Sequence, residues 1–143
     1  TNIAIFREDP MPLVKTKGLA HFSIPVTDTE RSQKFYEDVL GMKSVQVNHE
    51  RGMVFLDSGG DCVILCRVDK QASTAHVQDI HHAWVVEHDD YERALKEVQE
   101  RDDIEFMFDE DRQGGAVNGP RAYFKDPDGN VLEIIDLTSY KGD

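Results

Sequence analysis

The sequence has few of the features that mark membrane, secreted or nucleic-acid-binding proteins. Its 143 residues include two cysteines, and no apolar run approaches the ~18 residues that a membrane helix needs. The first ten residues, TNIAIFREDP, lack the basic start and apolar run of a signal peptide. Lys and Arg total 16 against 28 Asp and Glu, and a net charge of −12 would repel a polyanion. We therefore expect a cytoplasmic globular protein that binds neither nucleic acid nor a membrane.

The two cysteines do not predict a disulfide. Cys62 and Cys66 lie four residues apart in DCVILCRV, which reads as a strand. At ~3.3 Å per residue they would share one face about 13 Å apart, too far for an S–S bond. We expect two reduced thiols that pack as small apolar side chains.

The chain repeats one order of elements. Residues 1–17 contain two prolines and little periodicity, and predict an N-terminal arm. Residues 18–68 predict a strand, a helix and three short strands. After a polar linker at 69–79 the same order returns over 80–138, and 139–143 form a tail. The sequence thus predicts an α+β protein built from two repeated βαβββ modules.

Local signals mark some of the boundaries. Thr27 and Glu30 have the spacing of a capping box at the start of the first helix, and Gly41 lies where a left-handed stop is expected. The offset that aligns the two modules grows by nine residues, from 60 between His21 and His81 to 69 between Ile64 and Glu133. The Gly-rich segment DEDRQGGAVNGP (109–120) predicts a loop that accommodates these residues.

Strand alternation places three polar residues on one side of the predicted sheets. An offset of 60 residues aligns His81 with His21, and both strands send their apolar neighbours toward the helices. In the last strand Leu132 and Ile134 fit the helix-packed face, which turns Glu133 to the other side. Two imidazoles and a carboxylate hold a divalent ion and leave coordination positions open for a substrate. We therefore predict a metal site for Fe2+, Mn2+, Ni2+ or Zn2+.

A slip of one residue along the second module's first strand would exchange His81 for His82 as the ligand. Trp84 and Val86 need the side of the strand that faces the helix, which favours His81 on the metal side. His82 remains the alternative.

The turn before Glu133 supports the same face. Pro127 and Gly129 occupy the positions typical of a three-residue hairpin loop with a Gly bulge. This loop would place Tyr123 directly opposite Glu133. The phenol could then donate a hydrogen bond to a metal-bound oxygen or act as a general acid, which makes Tyr123 the candidate catalytic residue. The alternative is a buried strand aromatic with a satisfied hydroxyl.

These patterns carry a family resemblance over about residues 18–138. The repeated module, the two histidines and the segments AHFSIPVTDTERSQKFYEDVLGM and RAYFKDPDGNVLEII resemble the vicinal oxygen chelate superfamily. That superfamily includes glyoxalase I, extradiol dioxygenases, fosfomycin-resistance thiol transferases and bleomycin-resistance proteins. The resemblance implies a cupped, barrel-like mixed sheet with helices outside, and a metal ion held by His21, His81 and Glu133. It also implies a homodimer in which exchanged modules let one site draw ligands from two chains.

The resemblance also ranks the possible activities. Ile64 stands where glyoxalase I-like members place a fourth ligand, which makes the lyase reaction less favoured. Tyr123 lies ten residues before Glu133, as in the dioxygenase motif, although residues 109–120 lack that motif's additional histidine. We expect a metal-dependent enzyme acting on a small oxygen-chelating substrate, with dioxygenase-like chemistry favoured. The alternatives are a glyoxalase-like lyase, a fosfomycin-type thiol transferase, and a metal-independent binding protein whose negative charge attracts a cationic antibiotic.

The remaining histidines and two arginines are expected at the surface. His49, His76 and His88 occur in hydrophilic surroundings. Arg112 and Arg121 flank the Gly-rich loop and could pair with an anionic substrate, although solvated arginines are the more common outcome.

Overall fold

A computed structural model describes residues 12–70 and 80–140 of the chain. Parts of the predicted arm, linker and tail, together with His76, lie outside these residues. The first module consists of β1 (His21–Val26), α1 (Thr29–Leu40), β2 (Lys43–Asn48), β3 (Met53–Ser58) and β4 (Asp61–Arg67). The second consists of β5 (His81–Val85), a 3₁₀ turn (His88–Asp90), α2 (Tyr91–Glu100), β6 (Glu105–Arg112), β7 (Val117–Lys125), β8 (Val131–Ile135) and β9 (Ser139–Tyr140). None of the helices in these ranges has the length and apolar character needed to cross a bilayer.

The two modules have the same sheet topology. Their strand orders are β1-β4-β3-β2 and β5-β8-β7-β6. In each sheet the first strand runs parallel to the last strand of its module, and the other neighbours are antiparallel. The sheets curve without closing. The predicted α+β fold of two repeated modules is confirmed.

The start of α1 differs from the predicted capping box. Asp28, not Thr27, is the N-cap, and its carboxylate accepts a hydrogen bond from the Arg31 amide at 3.1 Å. Thr27 instead donates its amide and its hydroxyl to Asp128 of the second module. The predicted stop is confirmed, since Gly41 ends the helix with a φ of 65°.

The hairpin of β6 and β7 extends well into the segment that was predicted to be a loop. β6 continues to Arg112 and β7 begins at Val117, so only residues 113–116 of the segment 109–120 lie between the two strands. The Asn118 side chain closes the short turn, because it accepts from the Gly115 amide at 2.7 Å and donates to the Gly115 carbonyl at 2.9 Å. β9 then pairs with the start of β7.

One hydrophobic core joins the modules. Ile24 and Tyr36 of the first module and Phe124 and Leu132 of the second are fully buried in it. Ile24, Phe124 and Leu132 lie on the helix-facing sides of the two sheets, and Tyr36 lies on α1. The helices and the two apolar sheet faces therefore stabilise each other, and the opposite sheet faces are left for other contacts.

The turn between β7 and β8 fastens the second module to the first. We call the group Tyr36, Asp126, Asp128 and Asn130 the intermodule junction. The Tyr36 hydroxyl donates to the Asp126 carboxylate at 2.8 Å, and the Asn130 amide donates to the Pro25 carbonyl at 2.9 Å. Burial raises the pKa of Asp126, while hydrogen bonds from Asn130 and Tyr36 oppose this increase. A buried carboxylate is thus satisfied by donors from both modules.

The junction makes a testable contribution to stability. Replacing Tyr36 with Phe removes a buried hydrogen bond to a carboxylate, and we expect the free energy of unfolding to fall by about 1.5–3 kcal/mol. Tyr91→Phe is the matched control, because Tyr91 is also buried but its hydroxyl has no hydrogen-bond partner among the described residues. Chemical denaturation of both variants measures the difference. Equal losses would show that the Tyr36–Asp126 bond contributes nothing specific.

Gly119 allows the β6–β7 hairpin to lie against the end of β8. Its φ is 133°, and a Cβ there would lie 2.0 Å from the Asp136 carbonyl oxygen. We expect Gly119→Ala to cost about 3 kcal/mol or more. Gly114→Ala is the control, since Gly114 has a φ of 77° but nothing within 4 Å of the added atom, and should cost only about 1–2 kcal/mol. Thermal and denaturant unfolding measure both, and a smaller loss at Gly119 than at Gly114 contradicts the clash.

Candidate metal centre

The second sheet brings two of the predicted ligands together on its face away from the core. Ala83 of β5 and Tyr123 of β7 are the register partners of Glu133 on β8. His81 lies two residues before Ala83 in β5 and therefore on the same face. Its Nε2 is 3.6 Å from Glu133 Oε1. The predicted pairing of Tyr123 with Glu133 is confirmed.

Glu133 is an unusual residue to find within β8. It is 3% exposed, and all five residues of the strand are buried. The polar groups that the structure places beside it are the imidazole of His81 and the hydroxyl of Tyr123. Burying a carboxylate is costly unless a cation or several donors compensate it. An imidazole nitrogen and a carboxylate oxygen are also donors that divalent transition metals accept.

Tyr123 is held in place on the same face. Its ring stacks on Phe108 with centroids 4.6 Å apart and meets the His81 ring edge-on at 6.0 Å. Burial and the neighbouring Glu133 carboxylate raise the pKa of Tyr123 to about 12, while Arg121 acts in the opposite direction. The phenol therefore keeps its proton at neutral pH and donates a hydrogen bond to the Glu133 carboxylate.

His82 lies on the other face of β5. Its ring stacks on Phe22 of β1 with centroids 4.6 Å apart and planes inclined by 8°. Burial, and then the adjacent His81, lower the pKa of His82. The structure therefore places His81 beside Glu133 and His82 in the contact between the modules.

His21 occupies the equivalent place on the first sheet. It is exposed, and its register partner on β4 is Cys62, a free half-buried thiol. Ile64, the partner of Ser23, stands where Glu133 stands in the second sheet. The first sheet thus supplies one of the three predicted ligands and the second sheet two.

The three predicted ligands do not converge within one chain. No group of three or more His, Cys, Asp or Glu side chains among residues 12–70 and 80–140 could hold a metal ion. The reason is visible in the stacked pair Phe22 and His82. Because neighbouring residues of a strand point to opposite faces, His21 and His81 point away from that contact.

The other polar candidates have separate roles. His49 is hydrogen-bonded to Thr29 at 2.8 Å, and His88 is exposed and pairs with Asp136 at 2.7 Å. The pKa of His88 is raised, chiefly by its hydrogen bond to Asp136. Arg112 is exposed as expected and pairs with Glu110.

Sequence reasoning missed the burial of Arg121. Its guanidinium is 6% exposed and donates to the carbonyls of Val117 at 2.7 Å and Gly119 at 3.2 Å. Strand alternation could have indicated it, because Arg121 lies two residues before Tyr123 and therefore shares the face of that buried residue.

Comparisons with known proteins agree with this architecture. The family model of the Glyoxalase/Bleomycin resistance protein/Dioxygenase superfamily matches residues 18–134. Fosfomycin resistance protein FosX from Mesorhizobium loti is 22% identical, with a TM-score of 0.66 over 84% of this chain and 92% of that one. FosX from Listeria monocytogenes, in its monoclinic form at pH 5.75, is 18% identical, with a TM-score of 0.71 over 87% and 94%.

A third similar structure is an integron cassette protein from the mobile metagenome of V. cholerae. It is 27% identical, with a TM-score of 0.61 over 85% of this chain and 96% of that one. The likeness to these structures extends over both modules, and the family match includes every residue of the candidate centre. The chain therefore belongs to the glyoxalase/bleomycin resistance protein/dioxygenase superfamily.

Proposed function

We propose that this protein is a divalent-metal-dependent enzyme that acts on a small molecule through its adjacent oxygens. The observation that carries the proposal is the Glu133 carboxylate, buried within β8 and 3.6 Å from the imidazole of His81. In this proposal His81 and Glu133 of one chain and His21 of a second copy hold Fe2+, Mn2+, Ni2+ or Zn2+. Such an ion would hold a substrate oxygen and lower the pKa of a bound hydroxyl or water.

The orientation of the two sheets supports the second copy. The faces that carry His21 and His81 point away from the contact between β1 and β5. A homodimer that sets the first sheet of one copy against the second sheet of the other would join three ligands. Twofold symmetry would then create two equivalent sites.

Tyr123 assists the reaction in this proposal. Its high pKa keeps the hydroxyl protonated, and stacking on Phe108 fixes the direction of its ring. It can therefore donate a hydrogen bond to a substrate oxygen on which negative charge develops. Its burial limits competition from bulk water.

Two reaction classes are the main candidates. Dioxygenase-like chemistry is favoured by the spacing of Tyr123 and Glu133. Fosfomycin-type chemistry is favoured by the structural neighbours, one of which is a FosX variant complexed with Mn(II) and 1S,2S-dihydroxypropylphosphonic acid. Assays of the metal-loaded protein with catechols under O₂, and with fosfomycin in the presence or absence of thiols, separate the two. Methylglyoxal with glutathione tests the lyase alternative.

A metal-independent binding protein is the competing proposal. The net charge of −12 suits a cationic antibiotic. However, capture of a cation does not require a buried carboxylate paired with an imidazole. Bleomycin binding that survives complete removal of metal by a chelator would favour this alternative.

Replacing His81 tests the ligand assignment. We expect His81→Ala to weaken Mn2+ binding by about 100-fold or more, because loss of a ligand's outer-shell partner alone costs about 10- to 100-fold. His82→Ala is the matched control and should leave the affinity nearly unchanged, since His82 stacks on Phe22. Equilibrium dialysis with elemental analysis measures both. The reverse ranking would make His82 the ligand, and unchanged affinity in both variants would remove this strand from the site.

Mixing damaged chains tests the shared site. Neither His21→Ala nor Glu133→Gln should bind Mn2+ tightly alone. Co-refolded at equal concentration, they form mixed dimers in half of all pairings, and each mixed dimer has one complete site of two. We therefore expect about one quarter of the wild-type number of tight sites.

The control for this experiment is a mixture of His81→Ala and Glu133→Gln chains. These residues come from the same sheet of one chain, so no pairing restores a complete site. Tight binding in the control but not in the first mixture would contradict the proposed division of ligands between copies.

A further inference from the structure

We propose that Arg121 binds an anionic oxygen group of the substrate, a carboxylate, phosphate or phosphonate, whose neighbouring oxygens reach the metal position at Glu133. The location of this subsite rests on the proposed function. The anion-binding role of Arg121 is carried by separate observations of burial, pairing and position.

Arg121 is a buried cation that forms no direct ion pair with an Asp or Glu among residues 12–70 and 80–140. Its guanidinium is 6% exposed, and Nε and Nη2 donate to the carbonyls of Gly119 and Val117. In the described ranges no Asp or Glu forms an ion pair with it. Glu110, its register partner on β6, pairs with Arg112 instead at 2.9 Å. Its acceptors are therefore neutral groups, two carbonyls and the Tyr123 hydroxyl, which fix the side chain without pairing its charge directly.

The guanidinium lies on the same sheet face as the candidate metal ligands. Arg121 is the register partner of Ile135, two residues from Glu133, which is opposite Tyr123. Diagonal neighbours of this kind are about 7–8 Å apart. Arg121 and Glu133 both lie within hydrogen-bonding reach of the Tyr123 hydroxyl. A molecule of a few heavy atoms can therefore bridge a cation held by Glu133 and the guanidinium of Arg121.

The chemistry of arginine defines the ligand class. A guanidinium presents its donors in a planar fork that matches carboxylate and phosph(on)ate oxygens. The surrounding protein is strongly acidic, so its overall field does not attract anions. A fixed arginine in a water-poor position provides the local attraction that selects an anionic substrate, and it disfavours a cationic antibiotic at this face.

Ligand binding tests this role separately from catalysis. Methylphosphonate and acetate are the probes, added to protein saturated with Mn2+ and followed through relaxation of their methyl protons. We expect Arg121→Gln to weaken binding of at least one probe by about 10- to 100-fold and to change the Mn2+ affinity by less than about threefold. The probe with the larger loss identifies the acid group. Arg121→Lys, which keeps the charge without the fork, should give a smaller loss and covers the case in which Gln fails to fold.

Arg112→Gln is the matched control, because Arg112 is exposed and already paired. It should leave binding of both probes unchanged. Wild-type affinity for both probes in the Arg121 variants would overturn the proposal. If the wild type holds no Mn2+, the metal proposal fails and the same titration is made on metal-free protein. Loss of methylphosphonate or acetate binding on substitution of Arg121 then supports the anion subsite. Equal binding by the wild type and the Arg121 variants overturns it.

Discussion

The buried carboxylate of Asp126 is the contact on which the arrangement of the molecule depends. It accepts a hydrogen bond from Tyr36 of the first module at 2.8 Å and one from the Asn130 side chain of its own turn at 2.8 Å. The same carboxylate therefore fixes the β7–β8 turn and fastens that turn to α1. That turn sets the register between β7 and β8, which places Tyr123 opposite Glu133. Removing its donors would leave a desolvated charge in the core, so fold and site geometry are coupled through one group.

This attachment has a consequence for the candidate centre. When the helix-facing sides of both sheets are joined in one core, the opposite faces of β1 and β5 turn outward, each with one histidine. A monomer of this kind can bring together ligands of one sheet but not of two. Each outward face therefore carries only part of the proposed ligand set. The first sheet has His21, with Ile64 at the position equivalent to Glu133, and the second sheet has His81 and Glu133.

Much of this could be predicted because it is local. Alternation along single strands separates His81 from His82, and turn residues set the partner of Tyr123. Other features depend on contacts distant in sequence. Thr27 leaves the predicted capping box to bond Asp128, 101 residues away, and Arg121 lies on a face of β7 that is buried beside β8, where its register partner is Ile135. No window of neighbouring residues contains that information.

With a divalent ion bound, the proposed site would carry a charge opposite in sign to that of the protein as a whole. In the proposed site a divalent ion, one carboxylate and two neutral imidazoles leave one unit of positive charge, and Arg121 adds a second. Surface charges farther away than about 8 Å are largely screened at physiological ionic strength, whereas buried charges are not. The net charge of −12 therefore affects solubility and encounter, while in the proposed site the few buried groups on β7 and β8 would decide what binds. For this reason composition alone favours a cationic ligand, and the arrangement of Arg121 and Glu133 favours an anionic one.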